Sequence, residues 1–263
     1  MNTCFTKINE RFVIVSESCV LIQDDCLRAL QYIQPSSIHM IFADPPYFLS
    51  NGGISCKSGK IVRVDKGEWD KERDREKIDE FNYRWIQACK RVLKEDGTIW
   101  ITGTFHNIHS VGQALHQLGF KILNSIVWQK TDPPPNMSKR MFTHSHEYII
   151  WAKKSPKSRH YFNYEAMVKE NNGKQMTDVW TIPHVPPHEK TFGNHPTQKP
   201  LQLLNRIIIA STKQNDIILD PFCGSGTTGV SALCLNRKFI GMERELSFIQ
   251  LTKRRIQSVY GII

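Results

Sequence analysis

The chain has 263 residues with 35 Lys and Arg against 25 Asp and Glu, a formal net charge of +10 at pH 7. That predicts one large α/β domain, or such a domain with an inserted module, facing a polyanionic partner, with nucleic acid first among the candidates. No apolar run approaches the ~18 residues of a membrane span, the start is too polar for a signal peptide, and the seven cysteines contain no C-x-x-C pair; a soluble, cytoplasmic protein with reduced thiols is expected, without disulfides or a metal site.

Val20–Gln23 reads as a short strand, and Asp24-Asp25-Cys26-Leu27 opens a helix with an acidic first turn. A carboxylate there can face a ligand crevice or simply cap the helix. Met40–Ala43 is an apolar run that reads as a buried strand, and Asp44-Pro45-Pro46-Tyr47 stops it abruptly. Where it stops, the chain presents a carboxylate, a carbonyl and an aromatic ring. Two acceptors beside a flat surface suit a planar base that carries an exocyclic amino group. Asp132-Pro133-Pro134-Pro135 repeats part of this string without the aromatic and reads as a stiff connector.

The polar segment after Phe48-Leu49-Ser50-Asn51-Gly52-Gly53 carries Lys57, Lys60, Arg63, Lys66, Arg73 and Arg75, and is expected to be a loop that closes on nucleic acid. Phe81, Trp85, Ala88, Cys89 and Val92 recur at helical spacing, with Asp96-Gly97 as the expected stop. Thr98–Ile101, Ile122–Trp128 and Glu147–Trp151 read as strands, and His106–Leu118 as a helix before Gly119. Strand–helix alternation argues for a mostly parallel sheet covered on both faces. The histidines His106, His109, His116, His144 and His146 lack partners at ligand spacing, so no metal is expected.

From Lys153 the composition shifts. Residues 153–194 are polar, basic and punctuated by proline, with interleaved aromatics, and are expected to be an insert that meets nucleic acid. Lys139, Arg140, Lys153, Lys154, Lys157 and Arg159 are the candidate phosphate contacts. The chain thus divides into a catalytic part (1–152), a recognition insert (153–194) and a final part (195–263) that returns to the first α/β unit.

That final part holds a second anchor. His195-Pro196-Thr197-Gln198-Lys199-Pro200 leads into a helix, and the strand Asp216–Asp220 runs into Pro221-Phe222-Cys223-Gly224-Ser225-Gly226-Thr227-Thr228-Gly229. A glycine-rich turn between strand and helix lets a ligand approach the backbone. Another strand ends in Glu243, 19 residues after Gly224, where an acid can take ribose hydroxyls. The third glycine of a dinucleotide fingerprint is displaced, so a mononucleoside such as S-adenosylmethionine fits better than NAD.

Together, Asp-Pro-Pro-Tyr before Asp-Pro-Phe-x-Gly-Ser-Gly-Thr-Thr, with His-Pro-Thr-Gln-Lys-Pro and Gln23-Asp24-Asp25-Cys26, resembles the β-class DNA adenine-N6 methyltransferases. Phe42–Ile54, Val64–Asp70 and Phe142–Ser145 are similar to the second adenine methyltransferase of DpnII-type restriction systems. The resemblance implies a permuted Rossmann-like methyltransferase fold, S-adenosyl-L-methionine as cofactor, and GATC in DNA, duplex or single-stranded, as target. It also implies a bacterial or phage source, a monomer or homodimer, and a cognate restriction endonuclease encoded alongside. By the same resemblance Asp44, Pro45, Pro46 and Tyr47 act on a flipped adenine. Asp25 and Cys26 meet the cofactor adenine, and Glu243 its ribose. Phe222, Gly224, Ser225, Gly226 and Thr227, with Thr197 and Lys199, hold its methionine end, and Asp220 is a further cofactor-binding residue. Asp24 departs from the pattern, standing where the family usually has Gly. A cytosine-N4 or RNA-directed enzyme stays open, although N4 relatives usually carry Ser in place of Asp44, as do a catalytically silent DNA-binding module and a dehydrogenase.

Overall fold

A computed structural model describes residues 4–49, 54–57, 60–63, 70–71, 74–133, 135–136, 138–193 and 195–261. In chain order it contains β1 (Phe12–Ser16), β2 (Cys19–Gln23), α1 (Cys26–Ala29), β3 (Ile38–Ala43), the hairpin β4 (Ile54–Lys57) and β5 (Lys60–Arg63), α2 (Arg75–Val92), β6 (Leu93–Gly103) and α3 (Ile108–Gln117). Then come β7 (Lys121–Gln129), β8 (His146–Lys153), α4 (Tyr164–Glu170), β9 (Val179–Thr181), α5 (Leu201–Ser211), β10 (Ile217–Asp220), α6 (Thr227–Cys234), β11 (Lys238–Glu243) and α7 (Leu246–Val259). Nine strands form one sheet in the order β1-β2-β11-β10-β3-β6-β8-β7-β9, in which β1 and β8 run against the rest.

Period-two alternation divides each central strand between two cores. In β3, Ile41 and Ala43 face the layer of α1, α2 and α3 with Trp85, Ile86 and Val111, while Met40 and Phe42 face α5 and α6 with Leu204 and Ile207. Both faces are dry, which is why these strands read as unbroken apolar runs. α2 begins with Asp74 as its cap, the carboxylate accepting the Glu76 N–H at 3.0 Å.

The expected stop at Asp96-Gly97 is a correction. The helix ends at Val92, and β6 begins at Leu93 with no intervening loop, so both residues lie inside the strand. A side chain at Gly97 would come within 2.9 Å of the His39 carbonyl oxygen, so the glycine serves strand approach and not helix termination.

The insert expected at 153–194 crosses the molecule. Lys153 pairs with Thr98, and Thr98 with Met40, which puts the start of the insert about 13 Å back along the sheet from the level of Asp44. The chain returns through α4, whose Asn163 N–H bonds the Ala210 carbonyl behind α5, and through β9, which joins the sheet beside β7. Trp180 and Ile182 enter the second core. This strand carries no apolar run of its own; three residues sufficed because β7 supplies the pairing.

β3 crosses to β6 on one side through α2, and β10 crosses to β11 on the other through α6, while β3 and β10 are neighbours. Crossovers that diverge from adjacent parallel strands open a crevice beyond their carboxyl ends. Asp44 and Asp220 stand at its two lips.

Candidate active site and cofactor cavity

A cavity of 310 Å³ fills that crevice. It is lined by Asp25, Cys26, Asp44, Pro46, Phe48, Thr197, Lys199, Asp220, Phe222, Gly224, Ser225, Thr227, Glu243 and Phe248, among others. Of the eleven residues expected at the cofactor, ten line it; Gly226 does not. Gly226 instead sits at the head of α6 with φ 76°, where a Cβ would lie 2.5 Å from the Thr252 side chain.

Short polar contacts hold the glycine loop. Glu243 accepts the Gly224 N–H at 3.0 Å and the Glu245 N–H at 2.8 Å, and burial raises its pKa. Asp220 accepts the Phe222 N–H at 2.9 Å and the Thr228 hydroxyl at 2.6 Å. Burial outweighs those bonds and pushes Asp220 up to about 7. From behind, the buried Arg255 donates to the Ser225 carbonyl at 2.6 Å and to the Thr227 hydroxyl at 3.0 Å.

Asp24 and Asp25 have separate tasks. Asp24 is buried and accepts from both the Arg11 and the Arg28 guanidinium groups; burial works against its ionised form, but the two arginines prevail and its pKa is lowered. Asp25 caps α1 by accepting the Leu27 N–H at 3.0 Å, and also lines the cavity. The capping and ligand-facing alternatives therefore meet in one residue.

Across the crevice, Asp44 follows β3 and is held by three donors. Its Oδ1 accepts the Thr102 hydroxyl at 2.6 Å and the Tyr47 hydroxyl at 2.7 Å. Its Oδ2 lies 2.5 Å from Lys199 Nζ. Behind them the Glu147 carboxylate pairs with Lys130, lies 3.1 Å from the Tyr47 hydroxyl, and stands 3.8 Å from Lys199. Burial would lift Glu147, but the Lys199 and Lys130 ammonium groups pull it down to about 2. Burial would likewise depress Lys199; the Asp44 and Glu147 carboxylates override it and raise its pKa. Lys199, expected at the methionine carboxylate, is thus engaged with Asp44 in this structure. Tyr47 is buried at 5% exposure and does not line the cavity, whereas the neighbouring Phe48 does.

The turn itself is fixed from outside. Phe48 has φ 57°, unusual for a residue with a side chain. The wholly buried Asp70 accepts the Phe48 N–H at 2.6 Å and the Leu49 N–H at 3.0 Å. The Asn107 amide reaches the Pro46 carbonyl at 3.5 Å. Asp70 ends the Val64–Asp70 string; Val64–Trp69, like Ser50–Gly53 and Arg73, lies outside the described residues.

The expected phosphate contacts fall into two groups. Lys139 and Arg140 are exposed on the 130–145 connection, at the crevice edge of the sheet. Beside them are Phe142, 96% exposed, and Phe105, stacked on His144 at 4.4 Å. Lys153, Lys154, Lys157 and Arg159 are at the opposite edge. There Lys153 bonds the Ser158 carbonyl at 2.9 Å and Lys154 the Leu93 carbonyl at 2.6 Å. Among the described residues no three His, Cys, Asp or Glu side chains gather as a metal site, and no helix is long and apolar enough to cross a membrane.

Thr102, Lys130, Glu147 and Asp70 went unnoticed in the sequence. Glu147 left one visible sign, an acid at the head of the run Tyr148–Ala152.

Residues 38–254 match a family described as DNA methylase. The chain is 57% identical over 249 residues to the type II methyltransferase M2.LlaDCHI of Lactococcus lactis subsp. cremoris, covering 94% of this chain and 93% of that one. It is 56% identical over 240 residues to the type II methyltransferase M2.DpnII of Streptococcus pneumoniae, covering 91% and 90%. Among solved structures, the M1.HpyAVI–SAM complex aligns with a TM-score of 0.66 at 27% identity, covering 90% of this chain and 98% of that one. The cytosine-N4-specific PvuII DNA methyltransferase aligns at 0.72 with 17% identity, covering 94% and 92%, a likeness of fold alone.

Proposed function

The chain belongs to the DNA methylase family, and from that premise we propose that it transfers the methyl group of S-adenosylmethionine to N6 of an adenine in GATC. The observation that carries this reading is the Asp44 carboxylate at one lip of an acid-lined, nucleoside-sized cavity whose other lip is the glycine loop. S-adenosylmethionine bears a sulfonium and an ammonium group, and Asp25, Asp44, Asp220 and Glu243 all line the space that would take it. When bound, the cofactor supplies a methyl group already activated for attack.

The chain's own residues supply the acceptors and the shape. An adenine amino lone pair is conjugated into the ring and is a weak nucleophile. Hydrogen bonds from its two N–H groups to the Asp44 carboxylate and the Pro45 carbonyl localise that pair. Pro46 keeps the turn rigid, Asp70 and Asn107 tether it, and Tyr47, buried at 5% exposure without the base, becomes the aromatic surface beside it once the base enters and uncovers the ring. Asp25, Cys26 and Glu243 hold the nucleoside half of the cofactor. Asp220, with Phe222–Thr227 and Thr197, holds the amino-acid half. Lys139, Arg140 and the exposed Phe142 are the DNA contacts nearest this edge.

Asp44, in place of the serine common in cytosine-N4 enzymes, favours adenine. The strings Phe42–Ile54, Val64–Asp70 and Phe142–Ser145 favour GATC, and with it a cognate restriction endonuclease in the same system. Tritiated methyl transfer into duplexes that differ only at GATC, with the labelled nucleoside identified, tests the base and the site. N6-methyladenine confined to the GATC duplex is the expected result. Label in cytosine would overturn the base assignment, and N6-methyladenine elsewhere would overturn the site. Asp44→Ala should abolish transfer while leaving cofactor affinity within about threefold.

A further inference from the structure

Asp44 is crowded. A carboxylate offers about four acceptor positions, and the Thr102 hydroxyl, the Tyr47 hydroxyl and the Lys199 ammonium already fill three of them. One of those donors is charged. An acceptor so engaged draws weakly on a further N–H group, and is a poor destination for the proton that the amino group must shed once it has gained a methyl group.

Two of the three donors have a second carboxylate within reach, Glu147. The Tyr47 hydroxyl has a single proton, aimed at Asp44 Oδ1 at 2.7 Å or at Glu147 Oε2 at 3.1 Å, and it can serve only one at a time. Lys199 Nζ lies between the same two carboxylates, 2.5 Å from Asp44 and 3.8 Å from Glu147. Glu147 comes from β8, where it pairs with Trp128 of β7 one residue before the ladder to β6 begins at Tyr148, and Lys130 anchors its carboxylate. Glu147 and Lys199 are both buried, so neither can turn to water.

We propose that Glu147 is a positioning residue that takes over the Tyr47 hydroxyl and the Lys199 ammonium when Asp44 turns to the amino group of the target base. The exchange breaks no covalent bond: one hydroxyl proton and one ammonium group change acceptor, and both carboxylates stay ionised until Asp44 receives the proton from the methylated nitrogen. This rests on the reading of Asp44 as the acceptor for the amino group. It gives Lys199 a role on the base side of the crevice, apart from any contact with the cofactor.

The test is single-turnover methyl transfer by Glu147→Gln, Tyr47→Phe, the double variant and Asp44→Ala, with dissociation constants for S-adenosylmethionine and DNA measured alongside. Glu147→Gln keeps the shape but weakens the alternative acceptor, so its rate should fall roughly tenfold to a hundredfold with both dissociation constants within about threefold. In Tyr47→Phe one of the two competitors is gone, so adding Glu147→Gln should cost less than it does in the native protein. Multiplicative effects, or a Glu147→Gln rate within about twofold of native, would overturn the exchange. Should Glu147→Gln fail to bind S-adenosylmethionine, Glu147→Asp, which keeps the charge but withdraws it, is held to the same criteria. Asp44→Ala separates the two ideas. Activity retained there removes the premise; activity lost there with Glu147→Gln at the native rate removes this inference alone.

Discussion

Replacing Asp220 by Asn converts a buried carboxyl group into a neutral amide of almost the same shape, and its consequence should depend on pH. Burial is the main force on Asp220, lifting its pKa from 3.8 to about 7 against the Thr228 hydroxyl and the Phe222 N–H, with Asp44 and Glu243 adding to the rise. The unfolded chain loses this proton at the usual carboxylate pKa. Between the two values the folded protein therefore holds a proton that the unfolded chain has given up, and stability declines as pH rises through that window. The contribution is whole below the unfolded pKa and is lost above the folded one. From 3.8 to about 7, at about 1.36 kcal/mol per unit, the loss amounts to about 4 kcal/mol above neutrality. The amide suffers no such loss. Between about pH 5.5 and 8.5 the advantage of Asp220→Asn should widen by about 2 kcal/mol, or about 4–8 °C in Tm. Thermal melts of both proteins across that range read it directly, and an advantage that stays constant with pH would refute the reasoning. The same variant should bind the cofactor worse. Below about pH 7 the native affinity for this cation should improve by up to about tenfold per pH unit, then level off, while the variant stays flat.

Two basic clusters should behave differently. Lys139→Ala and Arg140→Ala should each weaken DNA binding and lower its salt slope by about one, measured by titration at several salt concentrations. Lys154→Ala should leave that slope alone and cost about 1 kcal/mol of stability, since its ammonium closes the Leu93 carbonyl at the far edge. Phe142→Ala, at a side chain 96% exposed, should leave Tm unchanged and raise KM for DNA by roughly fivefold or more; an unchanged KM would remove Phe142 from the DNA surface. Trp85→Ala should cost about 3–5 kcal/mol and also slacken the cofactor loop, because the indole meets the Phe222 ring edge-on at 5.2 Å; denaturant unfolding with and without cofactor separates the two effects.

Local chemistry made the two anchors legible. A strand such as Met40–Ala43 is dry on both faces and announces itself as an apolar run, and the prolines and glycines after β3 and β10 mark backbone that must turn sharply. What stayed hidden depends on pairings between distant residues. Thr102 meets Asp44 across 58 positions of chain and Tyr47 meets Glu147 across 100, and neither pair leaves any periodic trace. Asp96-Gly97 misled because glycine ends helices and also admits close backbone approach; the His39 carbonyl decided for the second. Composition marks the basic run from Lys153 as a DNA contact but is blind to which edge of a sheet a strand ends on. The antiparallel β8 carries it to the sheet edge opposite Asp44, where Lys153 pairs with Thr98.

The molecule's electrostatics point in opposite directions at different depths, and this follows from its two cargoes. The chain as a whole carries +10, which draws a polyanion to its surface. Its central cavity is lined by Asp24, Asp25, Asp44, Asp220, Glu243 and Glu245 against Lys77, Lys199, Arg244 and a histidine, a balance that suits a cation. Acids gathered in a buried space repel one another, and the protein relieves this locally: Arg11 and Arg28 neutralise Asp24, Lys199 neutralises Asp44, and Asp220 keeps its proton up to about pH 7. A cationic cofactor would complete that neutralisation from within. Cofactor affinity should therefore follow the charge of Asp220, the one of these three acids that is neutralised by its own proton and not by a paired cation.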